Sequence, residues 1–173
     1  MAYLVRPNIR YQTSYLAALD EYGKDSSGVG PPSFLLSDKA VFEKYLEDIF
    51  AQADSPRSPG TDHAPFIMWW WVEGDKYLGR ISLRLHLTEK LELYGGHVGY
   101  DIRPTERSKG YGSAMFSSLL PIAKALGFTE LLMICEEENI SSRAIIEKNG
   151  GRFYDAVTDE NRCLHLRFFV DLN

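Results

Sequence analysis

The chain has 173 residues, of which 45% are hydrophobic and 25% charged, and its formal net charge is −5. This length allows a sizeable core but is short for two domains, so we expect one domain spanning residues 1–173. The acidic balance argues against general nucleic-acid binding, which usually needs a basic face, and no apolar run approaches the ~20 residues of a membrane span.

The start of the chain lacks the layout of a signal peptide, and its two cysteines make no disulfide framework, so we expect a cytoplasmic protein.

The first half of the chain predicts a strand, two helices and a hairpin. Apolar residues at helical spacing predict the helices, and segments rich in Gly, Ser and Pro predict the loops. In chain order the predicted elements are a strand at 3–6, a helix at 11–22, a loop at 24–33, a helix at 38–53, a loop at 54–65, strands at 66–72 and 77–87, and a loop at 88–94.

Three consecutive tryptophans, Trp69 to Trp71, lie on the first strand of the hairpin. Alternate side chains of a strand face opposite sides, so at least one face of this sheet is aromatic. Two interpretations remain open. The indoles pack in a core beneath helices on both faces, or they line a pocket for an acceptor substrate.

The most informative segment runs from Gly95 to Ser113. Alternating apolar residues predict a strand that Pro104 ends, and a glycine-rich turn then leads into a helix. The first amides of a helix are unpaired and point at one spot, which binds anions, and glycines let the backbone approach a bulky ligand. The segment predicts a pyrophosphate site formed by Arg107, Ser108, Lys109, Gly110, Tyr111, Gly112 and Ser113.

A second motif begins about 30 residues downstream, after a short apolar strand at 131–135. Asn139 or Ser141 is suited to cap a helix, and Gly150 is suited to end it. On its own this is a well-capped surface helix. Two further strands, at 152–157 and 163–170, complete the predicted elements.

Together the two motifs resemble the GNAT acetyltransferase superfamily. In that superfamily the pattern Arg/Gln-x-x-Gly-x-Gly/Ala binds the pyrophosphate of acetyl-CoA, and a later Asn-x-x-Ser/Ala helix packs against the pantetheine. Arg107, Gly110 and Gly112 match the first pattern, and Asn139 and Ser142 match the second. The segments Gly-Gly-His-Val-Gly-Tyr-x-Ile-Arg-Pro and Ser-Arg-x-Ile-Ile-Glu-Lys-Asn-Gly-Gly also resemble one branch of uncharacterised bacterial acetyltransferases.

This resemblance implies an α/β fold with a mixed, mostly antiparallel twisted sheet, a splayed strand pair and helices on both faces. The splayed strands would be 97–103 and 130–136, with the pantetheine in the gap between them. Ile102 and Arg103 would then present backbone groups to the pantetheine, and a strand amide near Tyr100 would meet the thioester carbonyl.

The function implied by the resemblance is acetyl-CoA-dependent N-acetylation of a primary amine by direct attack in a ternary complex. The acceptor is left open between a small-molecule amine and a protein N-terminus, and a homodimer is also left open. No metal is expected, because the histidines and cysteines lack ligand spacing. The alternative is a catalytically silent acyl-CoA-binding or sensor module.

Such an enzyme needs a base, because an aliphatic ammonium cannot attack a thioester. Members of the superfamily often place a glutamate near the start of the motif strand, where this chain has His97, and imidazole suits proton transfer at neutral pH. The alternatives are a structural role for His97 and a fallback base among Glu136, Glu137 and Glu138. Many members also use a tyrosine as the acid, seven residues after the helix asparagine. This chain has Ile146 at that position, which leaves the acid unassigned.

Overall fold

The computed structural model describes residues 1–22, 30–54 and 64–173. Residues 24–29 and 55–63 of the two predicted loops lie outside the described residues. In chain order the helices and strands are β1 (Tyr3–Val5), α1 (Gln12–Tyr22), α2 (Lys39–Ala51), β2 (Phe66–Glu73), β3 (Lys76–Arg84), α3 (Glu89–Tyr94), β4 (Val98–Ile102), α4 (Tyr111–Ala125), β5 (Glu130–Glu136), α5 (Ile140–Lys148), β6 (Arg152–Thr158) and β7 (Leu164–Asp171).

The strands form two antiparallel sheets that meet at a vertex. One sheet has the order β1-β2-β3-β4 and the other has the order β5-β7-β6. At the vertex the His97 amide donates to the Leu132 carbonyl at 2.7 Å, and the Leu132 amide donates to His97 Nδ1 at 2.9 Å. Beyond this contact β4 and β5 belong to separate sheets. The predicted α/β fold is therefore confirmed, with the break between the fourth and fifth strands.

The three tryptophans explain how helices cover both faces of the first sheet. Trp70 is fully buried under α1 and α2, where its ring stacks on Tyr15 with centroids 4.6 Å apart. Trp69 and Trp71 point to the other face and join the cluster that includes Phe116 of α4. Because the side chains alternate along β2, one run of indoles supplies both cores. All three tryptophans are core residues.

Helix α3 corrects the predicted loop at 88–94. Thr88 caps it, with Oγ1 accepting from the Leu91 amide at 3.3 Å, and Glu89 and Glu92 in the first turn favour the helix dipole. None of its residues is buried, so the segment has no apolar stripe that would reveal a helix. The preceding strand β3 is also shorter than predicted and ends at Arg84.

Candidate active site

A cleft of about 910 Å³ opens where β4 and β5 separate. We call its two sides the helix wall and the opposite wall. The helix wall consists of Arg107, Ser108, Gly110, Tyr111, Gly112, Ser113, Asn139, Ser141, Ser142 and Ile145. The opposite wall consists of Arg84, Tyr94, Gly95, Glu136 and His165. Residues of β4 and β5, among them Tyr100, Ile102 and Cys135, lie between the two walls.

The turn before α4 leaves the first helical amides open to the cleft. Ser108 and Gly110 take left-handed backbone conformations, with φ of 62° and 82°. No side chain caps α4. At the start of this helix the first backbone hydrogen bond is donated by the Ala114 amide to the Gly110 carbonyl. The amides of residues 111–113 precede that bond, and these three residues line the cleft, so the start of α4 is suited to bind an anion there.

Helices α4 and α5 pack closely beside this turn. A Cβ added to Gly112 would lie 2.6 Å from Ile145 Cδ1, so a larger residue here would push the end of that side chain aside. Asn149 joins the two helices, because its Nδ2 donates to Ser113 Oγ at 3.1 Å and to the Ile145 carbonyl at 2.8 Å. The helix wall is therefore one packed unit.

The three basic residues near the turn have different partners. Arg107 lines the cleft, where its Nε donates to the Ile102 carbonyl at 3.1 Å. Lys109 pairs with the buried carboxylate of Glu106 at 3.0 Å. Arg103 pairs with Glu21 on α1 at 2.5 Å. Neither Lys109 nor Arg103 lines the cleft, whereas nine of the eleven predicted cofactor-binding residues do.

The backbone of β4 alternates between β3 and the gap. The carbonyl of His97 accepts from the Arg84 amide at 2.8 Å, and the amide of Arg103 donates to the Leu78 carbonyl at 2.9 Å. Successive residues of a strand direct their backbone groups to opposite edges. The amides and carbonyls of Tyr100 and Ile102 therefore face the gap, whereas the Arg103 amide is used within the sheet.

Tyr100 and α5 meet across the floor of the cleft. The Tyr100 hydroxyl lies 2.8 Å from Ser142 Oγ, and burial raises the pKa of Tyr100 to about 12. Asn139 caps α5 as predicted, with Oδ1 accepting from the Ser142 amide at 3.0 Å. Cys135 lies on the same floor, and burial raises the pKa of its thiol, so it is a poor nucleophile.

The structure places His97 at the vertex instead of in the cleft lining. Its Nδ1 accepts from the Leu132 amide, and its ring packs edge-on against Phe128 with centroids 5.5 Å apart. Burial, followed by the charge of Arg84, lowers the pKa of His97 to about 4. These contacts give His97 a structural role, and its role as base stays a prediction.

The position at which many superfamily members have the acid tyrosine, and the tyrosine that follows α5, both lie outside the cleft lining. Ile146 is fully buried in the core. Tyr154 is 61% exposed and packs on Phe169 with ring centroids 5.1 Å apart. The tyrosine that lines the floor is Tyr100, which comes from β4.

The opposite wall contains Glu136, one of the predicted fallback bases, and His165, which sequence reasoning missed. His165 of β7 lines it, with Nε2 at 3.2 Å from Asp159 Oδ2. Arg84 donates from Nη1 to the Gly96 carbonyl at 2.8 Å and so holds the turn before β4. The sequence signal that could have revealed His165 is Asp159, which stands six residues before it. The predicted strands 152–157 and 163–170 form a hairpin that brings the two residues together.

Two kinds of feature are not found in residues 1–22, 30–54 and 64–173. No group of three or more His, Cys, Asp or Glu side chains lies close enough together to hold a metal ion. Within the same residues, every helix is too short or too polar to cross a membrane.

Splayed strands with a glycine-rich turn at the cleft are the features expected from the resemblance to acetyltransferases, and a family comparison confirms the class. The family described as "Acetyltransferase (GNAT) domain" matches residues 29–152. Since the match covers more than half of the chain, the chain belongs to the GNAT acetyltransferase family. Among curated proteins no significant match is found.

Solved structures of the same fold cover nearly the whole chain. One is the microcin C7 self-immunity acetyltransferase MccE in complex with acetyl-CoA and AMP, with a TM-score of 0.68, 11% identity, and coverage of 98% of this chain and 92% of that chain. Another is the Salmonella typhimurium acetyltransferase that modifies the N-terminal serine of ribosomal protein L7/L12 (TM-score 0.65, 11% identity, 99% and 95% coverage). A third is a GNAT acetyltransferase from Bacillus anthracis (TM-score 0.62, 14% identity, 99% and 95% coverage). At these identities the likeness concerns the fold.

Proposed function

We propose that this GNAT domain, spanning residues 1–173, is a cytoplasmic N-acetyltransferase that moves an acetyl group from acetyl-CoA to a primary amine. The observation that carries the proposal is the turn before α4. It leaves the amides of residues 111–113 uncapped, and these residues and Arg107 line a cleft between splayed strands. The MccE structure, which holds acetyl-CoA on the same fold, supports acetyl-CoA as the co-substrate.

The residues present fit acetyl-CoA. The amides of residues 111–113 and the guanidinium of Arg107 suit a pyrophosphate. The backbone of Tyr100 and Ile102 faces the gap, where it suits the amide groups of a pantetheine arm. Gly112 lines the same cleft without a side chain that would fill it. When bound there, acetyl-CoA supplies the acetyl thioester.

The reaction needs only a few catalytic groups from the chain. We infer that the Tyr100 amide, on the gap side of β4, donates to the thioester oxygen; one positioned oxyanion donor contributes several kcal/mol in such reactions, about 2.7–4 by mutagenesis. A base must take a proton from the amine, for which His97 is the residue predicted from the sequence. The departing thiolate has a low enough basicity that solvent can protonate it, so the mechanism needs no assigned acid.

Two acceptor classes follow from the solved structures. The Salmonella enzyme acts on an N-terminal serine, which favours a protein N-terminus. The MccE structure is a complex with both acetyl-CoA and AMP, which favours a small molecule that carries an adenylate. The alternative of a silent acyl-CoA-binding or sensor module predicts binding without turnover.

Thiol release from acetyl-CoA tests the proposal. The wild-type protein is incubated with amino acids, polyamines, aminoacyl-adenylate analogues and peptides that begin with serine, and CoA binding is measured in parallel. Amine-dependent thiol release with a matching acetylated product supports the transferase and names its acceptor class. CoA binding without thiol release from any acceptor favours the silent module, and absence of CoA binding contradicts both.

A further inference from the structure

A carboxylate orients one histidine on the opposite wall of the cleft. His165 is 8% exposed and lines the cleft, and its Nε2 lies 3.2 Å from Asp159 Oδ2. An ionised carboxylate only accepts hydrogen bonds, so Nε2 carries the ring proton. Nδ1 is then the basic nitrogen of the neutral imidazole.

The turn between β6 and β7 holds Asp159 in place. Its Oδ1 accepts from the amides of Asn161 at 2.9 Å and Cys163 at 2.8 Å, and its own amide donates to the Cys163 carbonyl at 3.0 Å. The bond from the Cys163 amide, followed by the His165 contact, lowers the pKa of the Asp159 carboxyl group. Asp159 therefore stays ionised at neutral pH with one oxygen committed to His165.

Several elements pack around the His165 ring. Tyr94 of α3 meets it edge-on with ring centroids 5.1 Å apart. Glu136 of β5 and Val157 of β6 are its register partners on the neighbouring strands. Arg84 shares the same wall. The charged and titratable groups on these elements are the carboxylates of Asp159 and Glu136, the Tyr94 phenol and the Arg84 guanidinium.

We propose that His165, positioned by Asp159, accepts a proton from the amine that the enzyme acetylates. The inference rests on the proposed function and specifies its base. In the reaction the ammonium R–NH₃⁺ loses two protons, an N–C bond forms, and the C–S bond breaks with its electron pair on sulfur. One proton ends on sulfur, and the other passes from nitrogen to His165 Nδ1 and then to solvent.

The charge of Asp159 favours this transfer. A carboxylate at Nε2 stabilises the imidazolium that forms when Nδ1 takes the proton, and it holds the ring in the tautomer that can accept. His97 lacks such a partner among its hydrogen bonds, because its Nδ1 already accepts from the Leu132 amide. A base needs a ring nitrogen that can accept a proton. In His97 the accepting nitrogen, Nδ1, is already used by the Leu132 amide, whereas His165 meets its carboxylate through the other nitrogen, Nε2.

Kinetics of matched variants test this assignment with the acceptor that the wild-type enzyme turns over. His165→Asn is expected to lower kcat by about 100-fold or more while CoA affinity stays unchanged. Asp159→Asn is expected to lower kcat less, again with CoA affinity unchanged. His86→Ala is the control, because His86 is exposed and outside the cleft lining.

A second readout does not depend on turnover. In proton NMR of the wild-type protein without acetyl-CoA, the Nε2 proton held by Asp159 is expected to be visible, and Asp159→Ala is expected to remove it. Wild-type kcat in His165→Asn would overturn the inference, as would a loss of kcat in His97→Asn alone. Absence of turnover in the wild-type enzyme would instead overturn the proposed function, and the role of His165 with it.

Discussion

The two walls of the cleft differ in how their residues are collected from the chain. The helix wall comes from two continuous segments, 107–113 and 139–145, each of which is a turn or cap followed by a helix. The opposite wall brings together residues from β3, α3, β5 and β7, between Arg84 and His165. The helix wall depends on the backbone conformation of two short segments, whereas the opposite wall depends on how the strands pair. The comparison suggests that cofactor binding and proton transfer can be disrupted separately.

The largest effect on cofactor binding is expected at Gly110 of the helix wall. Its φ of 82° is one that a β-branched residue adopts only with strain, which costs about 1–3 kcal/mol. Gly110→Val should therefore displace the turn amides and weaken CoA binding about tenfold or more. Isothermal titration with CoA measures this change.

Gly74→Val supplies the matched control for that variant. Gly74 has a φ of 57°, and, like Gly110, a Cβ there would meet nothing within 4 Å. It lies in the turn between β2 and β3, outside the cleft lining, so its strain should lower stability and leave CoA affinity unchanged. Equal CoA affinity in Gly110→Val and the wild type would remove the phosphate role of the turn.

A smaller effect is expected at the vertex, where the pKa of His97 is lowered to about 4 by burial and by the nearby Arg84 charge. An unfolded histidine has a pKa near 6.5, so between these values the unfolded chain binds a proton that the folded chain does not. The free energy of unfolding should fall as pH drops from about 6.5 to about 4. Asn at position 97 keeps an acceptor for the Leu132 amide but does not titrate.

Thermal unfolding across this pH window tests that linkage. The Tm of the wild type should fall more steeply than the Tm of His97→Asn, because only the wild type gains this proton on unfolding. Other titrating carboxyl groups act on both proteins and cancel in the comparison. Parallel Tm curves would show that His97 is not held neutral by the fold.

The smallest effect is expected where the floor meets the helix wall. Ser142→Ala removes the hydroxyl that lies 2.8 Å from Tyr100 Oη, which costs about 1 kcal/mol for a half-buried pair. Tm should drop by about 2–4 °C, and CoA affinity should weaken a few-fold. Ser118→Ala on α4 is the control, because its Oγ bonds only within its own helix, to the Ala114 carbonyl at 2.9 Å. An unchanged Tm in Ser142→Ala would contradict the account of this contact.

Much of the fold was predictable because its signals are local. Asp38 caps α2 through the amides of Ala40 and Val41, at 2.9 and 3.1 Å, in the predicted helix. The break between the fourth and fifth strands was expected from the family resemblance and is confirmed by the two sheets. Helix α3 escaped prediction because none of its residues is buried, so no apolar period marks it.

The candidate site was predictable only on the helix wall. Its residues lie within a few positions of each other, so a sequence pattern carries their geometry. Arg103 and Lys109 looked equally suited to a ligand, yet Glu21 and Glu106 pair with them. No local pattern predicts such a partner when it lies 82 residues away along the chain, as Glu21 does. His165 was missed for the same reason, since its position in the cleft depends on the pairing of β7 with β5.

The most direct test of the account is an amide NMR titration of the isotope-labelled protein with CoA. If the helix wall binds the pyrophosphate, the largest shifts should fall on the amides of residues 110–113, followed by Tyr100, Ile102 and the start of α5. The turn at Gly74 should show no shift. Shifts that cluster away from residues 107–113, or no shifts at saturating CoA, would contradict the central claim that this turn is the cofactor site.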